Sequence, residues 1–330
     1  MPTSRTVAVL GPIPYDRVTT HRGDVLEKYG CALYTVAALS ALLGPDDRIC
    51  PVVHVRKRDE ANIKELLSQF PQVDLTGVRS SLDRGDVVEL EYLDQNRRAE
   101  RQTHFMAPIR PEDVEFALDA DSFVCVPITD YQVSQDTLRY IKGNSSGTVL
   151  LDAHGPAVAL TKGGERANRL WIERDAWLPY IDILKMNLEE AGCSWFPSGA
   201  SPTTTTADPL AMEDLPLFAE HCLDRGVKGV CVTLDEHGCA VYYRDAQGTM
   251  HEDLVDRLKV AHVVDTTGCG DSFAAGMGYG YLATQDFVQA ARYGNAMGAQ
   301  RCSGTELAAY LPLEETNKQL DAAYGKVFSV

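Results

Sequence analysis

The stretch Val263–Tyr281, VVDTTGCGDSFAAGMGYGY, sets an aspartate directly behind two closely spaced glycines. Thr266, Thr267, Gly268, Cys269 and Gly270 read as a turn between an apolar strand end at Ala261–Val264 and a following helix. Strand, glycine turn and helix N-terminus together present several free backbone N–H groups to an anion. The helix dipole adds about half a positive charge there. Asp271 falls in the first helical turn, beside that anion site. Two roles are open to it. It could cap the helix, or it could take the proton from a hydroxyl that attacks a bound phosphorus. Behind it, Ala274, Ala275, Gly276, Gly278 and Gly280 suit a helix packed closely under the site.

Such a turn needs a scaffold of strands and helices. Thr6–Gly11 reads as a buried first strand and Gly30–Leu43 as an Ala/Leu-rich helix that stops at Gly44. Further strands are expected at Cys50–His54, Phe123–Pro127, Thr148–Asp152, Ile181–Met186, Gly229–Leu234 and Gly238–Tyr243. Helices are expected at Arg58–Gln69, Ser134–Lys142, Leu210–Arg225, Gly270–Tyr281, Gln285–Arg301 and Leu313–Tyr324. This alternation argues for an α/β fold with a doubly wound, mainly parallel sheet. Asp86–Met106 alternates and then turns charged, the pattern of an exposed antiparallel ribbon beside the cleft. Arg97, Arg98 and Arg101 flank it, either to reach an anionic substrate or as a charged, solvated edge. Ser198–Pro209 reads as a loop, and His154 either faces the cleft or, as the simpler reading, is a turn histidine without a ligand role.

The chain has 330 residues, 45% hydrophobic and 24% charged, which suits one large α/β domain. A net charge of -16 argues against a nucleic-acid partner. Nine cysteines without C-x-x-C spacing read as reduced core thiols of a cytoplasmic protein rather than a zinc site or disulfide framework. The N-terminal apolar run is too short for a signal peptide, and no run is long enough for a membrane span.

DTTGCGDSFAAG resembles the C-terminal signature of the ribokinase-like, or PfkB-type, carbohydrate kinases, whose usual form is D-T-x-G-A-G-D before a small-residue helix. The resemblance implies ATP-dependent phosphorylation of a hydroxyl. Asp271 then matches the catalytic base, and the backbone of Gly268, Cys269 and Gly270 matches the anion hole, with Cys269 where alanine is usual. Lys185–Glu190 resembles the family's N-x-x-E element, which makes Asn187 and Glu190 candidates to organise Mg²⁺ and its waters, the alternative being an Asn-capped helix. VTLDEHG resembles T-L-G-x-x-G along the nucleotide. Thr233 and Gly238 match, and Asp235 replaces a glycine. Asn295 and Gly304 match the adenine-side helix and loop. Asp265, the first aspartate of the signature, matches a ligand of a monovalent cation such as K⁺.

On the acceptor side, Gly11–Asp16 fits G-x4-D, so Asp16 is the expected substrate-binding carboxylate, against an ordinary turn aspartate. Gly30 and Gly44 keep the family's N-terminal signature. Cys31 replaces its second glycine and Thr35 its asparagine, which points to an acceptor other than the common ribose or fructose types.

The expected protein is a single ribokinase-like domain over residues 1–330 with lid segments near 15–30 and 86–106. It is expected to phosphorylate a sugar, polyol or related polyhydroxy compound, using ATP and Mg²⁺, with a homodimer through the lid as its expected assembly. A nucleoside kinase of the same family and a non-catalytic nucleotide- or sugar-binding protein are the alternatives. A nicotinamide oxidoreductase lacks its G-x-G-x-x-G after the first strand, and a P-loop kinase lacks its G-x4-G-K-[ST].

Overall fold

Strand β1 (Thr6–Leu10) is buried on both sides. Val7 and Val9 enter one core cluster, Ala8 and Leu10 the other. A strand with two apolar faces belongs in the middle of a sheet covered on both sides. The computed structural model describes residues 4–20, 22–93, 98–195, 212–304 and 307–325, and β1 lies within its nine-stranded sheet.

Two short strands, β2 (Tyr15–Thr19) and β3 (Val25–Tyr29), follow, then helix α1 (Ala32–Leu42). Helix α1 is apolar nearly all round because it is enclosed, not amphipathic on a surface. It ends on an extended Leu43, and the Gly44 amide donates to Asp47 Oδ2 at 2.8 Å. Next come β4 (Arg48–His54), α2 (Lys57–Leu67), β5 (Val78–Arg79) and the hairpin β6 (Val87–Tyr92) and β7 (Arg98–His104). The middle of the chain holds α3 (Pro111–Val114), β8 (Ser122–Cys125), α4 (Gln135–Asn144) and β9 (Thr148–Asp152). A small hairpin, β10 (Val158–Leu160) and β11 (Arg166–Asn168), precedes α5 (Arg174–Trp177), β12 (Ile183–Asn187) and α6 (Leu188–Ser194). The C-terminal part runs α7 (Leu215–Leu223), β13 (Gly229–Thr233), β14 (Cys239–Arg244), β15 (Met250–Val255), α8 (Cys269–Thr284), α9 (Phe287–Cys302) and α10 (Leu313–Tyr324).

The large sheet has the order β15-β14-β13-β12-β9-β8-β1-β4-β5. Neighbours from β13 to β5 run parallel, and β14 and β15 add antiparallel strands at one edge. The mainly parallel, doubly wound reading therefore holds. Strand order reverses at β1, with β4 and β5 on one side and β8 and β9 on the other, which leaves a crevice at the C-terminal strand ends, where open α/β sheets take ligands. The second sheet, β3-β2-β6-β7, is assembled from residues 15–29 and 87–104. The Asp86–Met106 ribbon is thus half of a larger unit, whose other half, β2 and β3, carries too few apolar residues to announce itself.

Two expectations need correction. Ala261–Val264 is not a strand: Val263 and Val264 are exposed, and the Val264 amide donates to the carbonyl of Cys302 at 2.7 Å instead of to a sheet neighbour. The sheet edge is already closed by β15, whose alternating polar residues hid it. The helix expected at Leu210–Arg225 begins at Leu215 after a single turn at Met212–Asp214, with Pro216 in its first turn. The Ser198–Pro209 loop and Arg97 lie outside the described residues. All nine cysteines are unpaired and seven are buried. Among the described residues no helix is long and apolar enough to cross a membrane.

Candidate active site

Helix α8 starts where the glycine turn ends. Gly268 is its N-cap residue with φ 84°, a left-handed backbone that glycine takes without cost. A Cβ there would run into the ring of Tyr34 on α1. Thus the turn can lie this close only as glycine. Asp271 stands at the third helical position and no side chain caps the helix, so the capping role is not the one it fills. Its main-chain carbonyl accepts from Thr35 Oγ1 at 3.2 Å, and Ser272 Oγ returns to the Gly268 carbonyl at 2.6 Å. Behind the turn, Gly276 admits the backbone of Tyr293 and Gly278 the side chain of Val124, so α8 lies against both α9 and β8.

A cleft of about 710 Å³ opens over this turn. Its walls include Gly268, Cys269, Gly270 and Asp271, with Asp16 from β2, Asn187 and Glu190 from the β12–α6 junction, Thr233 and Gly238 from the ends of β13 and its turn, and Asn295 from α9. Residues from the whole length of the sequence therefore meet in one space. Gly30, Thr35, Asp265 and Gly304 stand behind the wall. Gly30 packs against the Asp16 carboxylate, where any Cβ would collide with Oδ2. Thr35 is fully buried on α1 and meets Asp271 rather than open space. Gly304 accepts from the guanidinium of Arg301.

Asn187 and Glu190 form the expected helix cap and also face the cleft. The Asn187 side chain accepts from the Glu190 amide at 2.7 Å, and Glu190 Oε2 accepts from the Asn187 amide at 2.8 Å, a reciprocal cap on α6. The same two side chains line the cleft. Burial alone would push the Glu190 carboxyl up; the hydrogen bond from His154 and the Asn187 amide bring it below its ordinary value. Among the described residues no group of three or more His, Cys, Asp or Glu converges as a metal cage. Since both oxygens of Glu190 already have partners, a Mg²⁺ fits here as an ion carried on phosphates and met through its waters.

Asp16 is 5% exposed and burial pushes its carboxyl up to about 8, the Lys28 ammonium opposing. Asp271 is likewise raised by burial and by the Asp152 carboxylate, with Lys185 pulling the other way. Asn295 donates from Nδ2 to the carbonyls of Val255 and Asp256, at 3.4 and 3.0 Å, which ties α9 to the strand beside the cleft.

Several residues that the sequence reading passed over shape the site. Lys185 Nζ lies 2.7 Å from Asp152 Oδ2, both side chains 6% exposed, and would stand 3.3 Å from a Cβ on Gly270. A positive charge therefore sits under the anion turn. Of the two readings for His154 the cleft-facing one holds: it lies between Glu190 Oε1, 2.8 Å from Nδ1, and Arg166 Nη2, 3.0 Å from Nε2. Arg166 also pairs with Glu100 at 3.2 Å, while Arg101 of the ribbon is turned to the Gly163 carbonyl. The signal for Lys185 and Asp152 was in view: a charged residue inside an otherwise apolar strand needs a partner.

Residues 168–313 match the model of the pfkB family carbohydrate kinases. A curated protein of Archaeoglobus fulgidus, described as an uncharacterized sugar kinase, is 35% identical over 99 residues, 30% of this chain and 37% of that protein. The matched stretch thus spans little more than a third of that relative. Arabidopsis thaliana ribokinase complexed with ribose and ATP superposes with a TM-score of 0.72 at 17% identity, covering 99% of this chain and 100% of that one. A pyrophosphate-dependent kinase in the ribokinase family, in complex with sulfate, gives 0.72 at 17% identity, with coverage of 95% and 99%. At such identities the superpositions establish the fold, which is ribokinase-like. The resemblance to pfkB-type carbohydrate kinases read from DTTGCGDSFAAG is borne out by the family match.

Proposed function

From the premise of a ribokinase-like fold with a pfkB carbohydrate-kinase match, we propose that this protein transfers the γ-phosphoryl group of ATP to a hydroxyl of a small sugar, polyol or related polyhydroxy compound. One observation carries the reading: Asp271 and the Gly268–Gly270 turn, at the start of a 16-residue helix, share a single cleft with the buried Asp16 carboxylate.

In this reading Asp16 accepts hydrogen bonds from acceptor hydroxyls and sets one of them in line with the phosphorus. Asp271 takes the proton of that hydroxyl on its carboxylate as the new O–P bond forms. The amides of Gly268, Cys269 and Gly270 hold the charge that gathers on the phosphoryl oxygens, and Lys185 adds a fixed positive charge beneath them. Mg²⁺, when bound with the donor, neutralises phosphate charge; Asn187 and Glu190 are the residues that would hold it. Val88 and Leu90 of β6 form an apolar roof to the acceptor end, consistent with the β3-β2-β6-β7 sheet acting as a lid that excludes water.

Past the turn the cleft continues along Leu258, Val260, Gly298 and Ala299. Apolar walls of this kind suit a purine ring, whereas a pyrophosphate donor would leave them unfilled. Val25 and Leu26 are exposed on the edge strand β3, which supports a homodimer formed through this sheet.

The test is product formation from MgATP or Mg-pyrophosphate across a panel of sugars, sugar acids, polyols and nucleosides, beside Asp271→Asn. Turnover with one acceptor, ATP-dependent and lost about 10²–10⁴-fold in the variant, is the expected result. ATP binding without turnover on any acceptor would leave a binding protein, and no ATP binding would overturn the reading of the turn as a phosphate cradle.

A further inference from the structure

Asp265, the residue whose counterpart in the family signature holds a monovalent cation, already has its carboxylate filled. Oδ2 lies 2.9 Å from Lys28 Nζ and 2.9 Å from Arg301 Nη2, and Oδ1 accepts from the Thr267 amide at 2.9 Å. Arg301 is fully buried, with its guanidinium stacked 4.5 Å over the ring of Tyr34 and donating to the Gly304 carbonyl. Lys28 and Asp265 are only 25% and 19% exposed. Two cations against one carboxylate leave the group at net +1. A free cation brought to the same oxygens would meet two like charges at contact distance, which opposes its binding. The residues present therefore do not fit a bound K⁺.

An ammonium group and K⁺ have the same charge and similar size. We propose that Lys28 is a tethered replacement for the monovalent cation, so that this protein needs none. This inference rests on the kinase reading for its effect on turnover, but not for its effect on cation binding. The tether also has a consequence for assembly. Lys28 belongs to β3 of the small sheet and faces Asp16 across the β2–β3 pair. The charge that steadies the phosphate turn therefore arrives with the lid strand that carries the acceptor carboxylate's neighbour.

The experiment is a KCl titration at constant ionic strength, balanced with choline chloride, on the wild type, Lys28→Met and Lys28→Arg. The first readout is the thermal midpoint. Wild type and Lys28→Arg should stay flat, while Lys28→Met should rise by about 2–4 °C when K⁺ reaches ten times its dissociation constant. The second readout is turnover, once an acceptor is known. Wild type should change less than about twofold between choline and K⁺, while Lys28→Met should fall at least about tenfold in choline and recover in K⁺. A K⁺-specific rise in the wild-type midpoint overturns the inference, as does a folded Lys28→Met that ignores K⁺ in both readouts. Should Lys28→Met fail to fold, the wild-type titration decides alone. Absence of turnover with every acceptor would count against the kinase reading and leave the thermal result standing.

Discussion

His154 Nδ1 lies 2.8 Å from Glu190 Oε1, and its other ring nitrogen lies 3.0 Å from Arg166 Nη2. An arginine can only donate, so the Nε2 atom accepts and Nδ1 carries the hydrogen that goes to Glu190. The imidazole thus fixes the direction of a carboxylate that lines the cleft. His154→Ala should raise the Mg²⁺ concentration for half-maximal rate by about 10-fold, with a smaller change in kcat. Titrating Mg²⁺ at saturating ATP and acceptor checks this; an unchanged requirement would make the histidine a packing residue.

Asp16 links function to stability with a definite sign. Its carboxyl titrates near 3.8 when exposed and near 8 when folded, because burial disfavours the charge. Between those values the unfolded chain has lost a proton that the native chain keeps. Stability contributed by this group therefore falls as pH rises from about 4 to about 8, and then levels. Asp16→Asn should remove that slope and be more stable at pH 8 by on the order of a few kcal/mol, while acceptor binding is lost. In the wild type, acceptor KM should drop as pH climbs through about 8. Denaturant unfolding and steady-state kinetics from pH 5 to about 9 give both curves.

Gly268→Ala should fail twice over. A left-handed backbone costs a non-glycine residue about 1–2 kcal/mol, and overpacking against Tyr34 about 1–3 kcal/mol more. Unfolding in urea should show a loss of at least about 2 kcal/mol by that sum, with turnover at background. A stable, active variant would mean that the turn is looser than its contacts indicate.

Lys185 and Asp152 form a buried pair, and removing one partner strands the other. Lys185→Met alone should cost about 3–5 kcal/mol. Adding Asp152→Leu should restore most of that stability, because a buried ion pair can be replaced by apolar packing with little net change. Turnover should stay low in both, since the positive charge beneath Gly270 is gone in each. The double-mutant cycle separates the charge needed for phosphoryl transfer from the charge needed to fold.

How far the sequence reached is visible at two positions. Cys31 and Asp235 both stand where the family pattern has glycine, and both keep the glycine backbone: φ is 49° at Cys31 and 50° at Asp235. The turns are preserved and their residues are not, which only coordinates reveal. The parallel strands were legible because their apolar runs are nearly unbroken, as double burial requires. Strands β2, β3 and β15 were not, because each has a wet face and charged residues such as Arg17, Glu27 and Asp253. Of the cleft lining, residues in short motifs such as Asp271, Asn187 and Glu190 were legible. Lys28, Arg301, Asp152 and Arg166 were passed over because their partners are distant in sequence; Lys28 and Asp265 are 237 residues apart.

Strand β1 pairs with β8, which does not begin until Ser122, and α1 packs against α8, which does not begin until Cys269. The glycine turn at Gly268 and the Asp16 carboxylate thus come together from opposite ends of this fold's element order. The cleft therefore assembles only when segments far apart in sequence have packed together, which ties its formation to long-range folding contacts.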